Sequence, residues 1–290
     1  MYSFSECGSL KSIEIPNSVA SIGVYAFQNC TSLTSVAIPN SISAISNYMF
    51  TGCSGLKEVF IPNTVTSIGN YSFEKCTSLV SVDIPEGVTS IGNSAFNGCS
   101  GLESVTFPGS LKSLGMTAFS GCSSLKSVTL PYGLESIGGG AFSLCSSLTE
   151  VFIPSTVKSI SGPAFGGGTT SLTTVKVDIT TPLTITQFTF INRKNATLYV
   201  PKGCKAAYEA ANYWKEFKTI VEMGENEGDD ADLNNDGEVT IADVTALVNI
   251  MLGKDDAEPY LYDHARADIN GDGSITIADV TALVNKILGK

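Results

Sequence analysis

Leu79-Val-Ser-Val-Asp-Ile-Pro85-Glu-Gly-Val-Thr-Ser-Ile-Gly-Asn-Ser-Ala-Phe96-Asn-Gly-Cys99 is one period of a repeat that fills most of the chain. Working outward from it, Cys7, Cys30, Cys53, Cys76, Cys99, Cys122 and Cys145 are each 23 residues apart. Leu10, Leu33, Leu56, Leu79, Leu102, Leu125 and Leu148 keep the same step, as do prolines from Pro16 to Pro154 and phenylalanines 27, 73, 96, 119, 142 and 165. A fixed period of this length dictates a stacked architecture, because one unit cannot bury its apolar face alone. Within the quoted unit, Leu79, Val82 and Ile84 point one way and proline closes the segment, which predicts one short strand per repeat. Val88, Ile91, Ala95 and Phe96 return to the core, with Gly92 suited to the turn between the halves. Strands of successive coils are expected to pair in parallel about 4.8 Å apart.

The pattern Leu-x-x-Val-x-Ile-Pro-x-x-Val-x-x-Ile-Gly-x-x-Ala-Phe-x-x-Cys resembles the BspA-like bacterial surface leucine-rich repeats. It covers residues 1–177 and implies an α/β-type solenoid, mostly β, with short parallel strands. Residues 178–221 look like the closing element of such arrays. The Ala-rich stretch around Tyr208, followed by Trp214 and Phe217, predicts a helical cap over the last coil, the edge that otherwise invites another strand. The cysteine ladder reads as a small buried group filling a turn in each coil. Neighbouring sites lie within disulfide reach, but side chains pointing in parallel into one core rarely meet the required torsion. Free thiols are expected, with Gly168 standing where an eighth cysteine would fall. On the outward strand face most residues are polar, but Phe60 and Phe152 occupy the slot held elsewhere by Asp83, Thr106 and Thr129. They are candidate anchors for an unknown protein or glycan ligand, against the alternative of isolated surface apolar residues.

Charge divides the chain. Residues 1–221 carry 13 Lys/Arg and 12 Asp/Glu, whereas residues 222–290 carry 4 and 16, so the formal charge of -11 belongs to the tail. Neither part supplies the basic stripe that nucleic-acid binding needs. No apolar run reaches the roughly 18 residues of a membrane span. Met1 to Cys7 match the end of a repeat and not its start, so the sequence reads as a fragment, with any signal peptide or lipid anchor outside it.

Residues 222–231 read as an acidic linker. After it come two 12-residue oxygen-rich loops, 36 residues apart. The first offers Asp232, Asn234, Asp236, Glu238 through its carbonyl, Thr240 and Asp243, with Gly237 at the bend. The second offers Asp268, Asn270, Asp272, Ser274 through its carbonyl, Thr276 and Asp279, with Gly273 at the bend. Hard oxygen ligands at positions 1, 3, 5, 7, 9 and 12 are the calcium-loop pattern, and two copies predict two calcium ions. Three carboxylates gathered in each loop repel one another without a cation, so calcium is expected to be structural.

A helix is expected after each loop, with Val244, Leu247, Val248 and Met251 packing on Val280, Leu283, Val284 and Ile287. This loop-helix duplication over residues 232–290 resembles a type I dockerin, which implies a small all-α domain, a cohesin-type scaffold domain as partner, and secretion. Residues 240–249 are identical to residues 276–285, so either face can bind. Ile241, Ala242, Ile277 and Ala278 stand where dockerins usually place small hydroxyl residues that meet cohesin. The spacing leaves open whether Ile241 faces a partner or the core.

His264, the sole histidine, lies outside the repeats, and no acidic pair recurs across them, so no catalytic residue is named. The expected protein is an extracellular or cell-surface binding protein without catalysis. Its repeats would hold a ligand and its dockerin would plug into a scaffold, beside polysaccharide-degrading enzymes if the resemblance holds that far. The rival is a free-standing adhesin whose calcium module is purely structural.

Overall fold

A computed structural model of the protein describes residues 2–223, 240–252, 267, 269 and 276–288, the side chains of 249–252 excepted. The chain divides into two compact units, Met1–Val221 and Glu222–Lys290.

The first unit is a parallel solenoid, and six of its coils, from β1 to β12, contribute two strands each where one was expected. The longer strands are β1 (Ser35–Ala37), β3 (Glu58–Phe60), β5 (Ser81–Asp83), β7 (Ser104–Thr106), β9 (Ser127–Thr129), β11 (Glu150–Ile153), β13 (Thr174–Val177), β14 (Thr197–Val200) and β15 (Thr219–Glu222). They hydrogen-bond in three groups, β1-β3, β5-β7 and β9-β11-β13-β14-β15. The second series is β2 (Ala44–Ile45), β4 (Ser67–Ile68), β6 (Ser90–Ile91), β8 (Ser113–Leu114), β10 (Ser136–Ile137) and β12 (Ser159–Ile160), one continuous six-stranded sheet. A two-residue strand is too short to show alternation, which is why the pattern hid it. Both series are in register by one repeat, as in Val82 with Val105 and Ile68 with Ile91.

The predicted inward residues of the quoted unit, Leu79, Val82, Ile84, Val88, Ile91, Ala95 and Phe96, are all buried. The phenylalanines form a stack of near-parallel rings 5.0 to 5.6 Å apart from Phe4 to Phe190, with Phe50 completing the column. Such stacking adds about 0.5–1.5 kcal/mol per pair to the burial itself. Ring stack and strands run past residue 177, through Phe190, β14 and β15. The cap consists of α1 (Lys205–Ala210) and a 3-10 turn at Trp214–Glu216. Tyr208 and Trp214 are fully buried, and their polar ends donate to the carbonyls of Ile179 and Leu183.

Two local expectations change. Gly92 is not at a left-handed position. The positive φ values fall two residues later, in the column Tyr25, Tyr48, Tyr71, Ser94 and Thr117. What Gly92 provides is room, since an added Cβ would stand 2.7 Å from the Asn70 backbone nitrogen of the preceding coil. Left-handed backbone at a tyrosine is unfavourable by roughly 1–2 kcal/mol, and Tyr2, Tyr25, Tyr48 and Tyr71 offset it by stacking 4.7 to 4.8 Å apart.

The cysteine ladder has a hydrogen-bonding job as well as a packing one. Each thiol from Cys30 to Cys145 donates to the phenylalanine carbonyl one coil back, as Cys53 does to Phe27 at 3.0 Å and Cys99 to Phe73 at 3.1 Å. All the cysteines are free thiols. The group that continues the ladder is Thr169, not Gly168: its hydroxyl donates to the Phe142 carbonyl at 2.8 Å. The one-residue insertion there moves the donor along by one, and Gly168 takes up a left-handed turn with φ of 105°. Burial raises every thiol from Cys30 to Cys145, with Cys53, Cys99 and Cys145 pushed up to about 12.

Candidate functional site

In the second unit, α2 (Ile241–Leu252) and α3 (Ile277–Ile287) pack together. The buried core among the described residues is Ala246, Leu247, Ala267 and Leu283, with Val244, Ile269, Val280 and Ile287 partly buried against it. Ala246 was not foreseen, because alanine carries little weight in an apolar pattern. Val248 and Val284 are half-buried, and the Met251 side chain lies outside the described residues.

The two helices begin with the same device. Asp243 accepts the Thr240 N–H at 2.7 Å, and Asp279 accepts the Thr276 N–H at 2.7 Å. The Thr240 hydroxyl accepts the Ala242 N–H at 3.1 Å, and the Thr276 hydroxyl accepts the Ala278 N–H at 3.2 Å. Each pair is a helix cap that satisfies orphan amides of the first turn. Both aspartates are fully buried, although aspartate is rarely so unless it is paired. The positive end of the helix offsets part of that charge.

A divalent cation is the complement the donor set calls for, since every candidate ligand is a hard oxygen. The structure places Thr240 beside Asp243 and Thr276 beside Asp279 at two equivalent helix starts. Asp232, Asn234, Asp236, Glu238, Asp268, Asn270, Asp272 and Ser274 lie outside the described residues, and so does His264. Among the described residues no group of three or more His, Cys, Asp or Glu side chains converges on a metal position. The capping role of the two threonines was not read from the sequence, though Thr-x-x-Asp before an apolar run is a capping signal.

Ile241 and Ile277 are 71% and 69% exposed, and Ala242 and Ala278 are exposed beside them. Of the two placements that the spacing left open for Ile241, core or surface, the structure shows the surface one. Both isoleucines sit in the first turn of their helices, ahead of the stripe that packs.

On the solenoid the two singled-out phenylalanines prove unlike. Phe60 is 61% exposed, whereas Phe152 is half-buried and its ring centroid lies 5.8 Å from that of Tyr132. The Tyr132 hydroxyl donates to Asp178 at 3.3 Å, two coils away. In the next rungs of the Phe152 column stand Lys176 and Tyr199. The Lys176 ammonium lies 3.1 Å from a Glu150 oxygen and 5.9 Å from the centre of the Tyr199 ring. Tyr132, Lys176, Tyr199, Glu150 and Asp178 were missed because Lys176 follows Phe152 by 24 residues, and Tyr199 falls in the segment read as cap. The Leu198-Tyr-Val-Pro201 echo of a strand end was the available signal.

The family model of the BspA type leucine rich repeat region matches residues 1–122 and 68–197 in six copies, and the chain belongs to that family. The dockerin type I domain model matches residues 230–288, and such domains bind calcium. The array is similar to a leucine-rich repeat protein from Bacteroides ovatus, at 27% identity and a TM-score of 0.55 over 77% of this chain and 63% of that one. The chain thus spans less than two thirds of that relative's length. A leucine rich repeat protein of T. pallidum is 34% identical over 50% of this chain and 72% of its own, with a TM-score of 0.47. No curated protein matches the chain. Among the described residues no helix is long and apolar enough to cross a membrane.

Proposed function

We propose that this is an extracellular or cell-surface adapter without catalytic activity. The repeats, residues 1–177 closed by 178–221, hold a protein or glycan ligand on their outward strand face. Residues 232–290, reached through the linker 222–231, bind two calcium ions and dock on a cohesin-type scaffold domain. The observation that carries the docking half is the pair of equivalent helix starts, each with a buried aspartate and an isoleucine left in solvent. An exposed apolar residue repeated at the same place on two related helices supports a partner-binding role over a packing one.

Bound calcium would supply the positive charge that offsets repulsion among the loop carboxylates. Asp243 and Asp279 would be the ligands at each helix start, where one carboxylate oxygen accepts the threonine amide. Ile241, Ala242, Ile277 and Ala278 then form two alternative contact surfaces.

The test immobilises the full chain and passes purified type I cohesins over it with calcium and with chelator. Capture in calcium that is lost on chelation, and weakened in Ile241→Asp/Ile277→Asp, is the expected result. Absence of capture from a broad cohesin panel in calcium would sink the docking reading and leave an adhesin with a structural calcium module.

A further inference from the structure

The cluster around Phe152 differs from the rest of the strand face in being preassembled. Its aromatic rings are half-buried and held by neighbours: Tyr132 against Phe152 and bonded to Asp178, Tyr199 under the Lys176 ammonium. Its one ammonium is already engaged, since Lys176 pairs with Glu150 across adjacent strands, and Asp178 accepts from the Tyr132 hydroxyl. A charged peptide would have to break that pairing to gain from it, and desolvating an ion pair to replace it with another gives little net return. A neutral polyhydroxylated chain has no such conflict. Its C–H faces lie on aromatic rings, and its hydroxyls donate to carboxylates and accept from an ammonium without disturbing the balance.

Spacing points the same way. Phe152, Lys176 and Tyr199 occupy one outward column on β11, β13 and β14, so successive side chains are about 4.8 Å apart along the solenoid axis. That step is close to the length of one pyranose unit in an extended glycan. In an extended peptide, side chains on one face recur about every 6.7 Å, and fall out of step within two rungs. Rings held in place by their neighbours also lose little rotamer freedom on binding, the main expense of using aromatic anchors.

We propose that Tyr132, Phe152, Lys176 and Tyr199, with Glu150 and Asp178 beside them, form a subsite for a neutral pyranose polysaccharide lying along the solenoid axis. The proposal rests on the reading of the outward face as the ligand-binding face. It gives Phe60, four rungs from Phe152 and 61% exposed, no share in the contact.

The test is affinity electrophoresis of the full chain through gels containing mixed-linkage β-glucan, glucomannan, arabinoxylan or dextran. Retardation by at least one neutral glycan is expected. It should weaken at least tenfold in Phe152→Ala and in Tyr199→Ala and be unchanged in Phe60→Ala, with an unaltered thermal transition certifying the fold of each variant. No retardation by any of the four, or retardation that survives both substitutions, overturns the proposal. The broader reading is separated by a dodecapeptide phage selection on the same chain. Enrichment that depends on Phe152 and Tyr199 without any glycan retardation would assign the face to a peptide ligand, overturning the glycan and keeping the face.

Discussion

In the repeat array the buried column runs from Ile22 to Ile220 and is apolar throughout its centre, whereas the described core of the C-terminal unit is four side chains with two buried carboxylates nearby. Each coil of the array is the core of the next, so stability accumulates by nearest-neighbour contacts and no coil depends on an ion. The C-terminal unit is small, and domains of that size often recruit a metal or another staple. The difference teaches that apolar packing runs the length of the array, whereas in the C-terminal unit a small described core shares space with two buried carboxylates.

The largest expected effect breaks the comparison at the metal. Chelating calcium in the full chain should abolish the helical signal of α2 and α3 while the array keeps its own melting transition, as followed by circular dichroism and calorimetry. Asp243→Ala together with Asp279→Ala should do the same in the presence of calcium. A C-terminal transition untouched by chelator would place the two units under one rule.

Next comes Phe96→Ala, in the middle of the ring stack, where about 3–5 kcal/mol should be lost. Denaturant titration reads it. A much smaller loss would mean that the neighbouring coils collapse onto the gap, and that the stack is less rigid than its 5.0 and 5.1 Å spacings indicate.

A subtler test concerns the thiol ladder. Cys99→Val removes the donor to the Phe73 carbonyl and should lower stability by about 1 kcal/mol or more, whereas Cys99→Ser keeps a donor, as Thr169 does in its own coil. In the native chain a thiol reagent should label Cys7 at once, while Cys53, Cys76, Cys99, Cys122 and Cys145 wait for unfolding.

A further effect is on alkaline stability. The buried thiols hold their protons to higher pH in the folded chain, to about 12 for Cys53, Cys99 and Cys145, than at the ordinary value of 9.0. The folded state therefore binds more protons across that window. Array stability should be unaffected below pH 9 and fall between pH 9 and 12, because the unfolded thiols ionise first. Melting temperatures at pH 8 and pH 10 check the sign.

Much of this was legible in the residues. A 23-residue step fixed which side chains enter the core, because a stacked coil must present the same positions inward each time. The duplicated loop-helix segments pointed to a dockerin, and the dockerin type I model matches residues 230–288. The second strand of each coil was not legible, since two residues cannot display a period. Nor was the role of Gly92, which depends on how near the preceding coil lies and not on its own backbone angles.

Sequence alone determined that the chain is a repeat array with an acidic calcium-loop module, for both are one-dimensional patterns of residue type. Only the tertiary structure decided that Ile241 stands in solvent, that Thr169 inherits the cysteine's bond, and that Phe152 is half-buried beside Tyr132 whereas Phe60 is exposed. The last two facts depend on residues 20 to 50 positions apart, which the register of stacked coils brings together and no local pattern records.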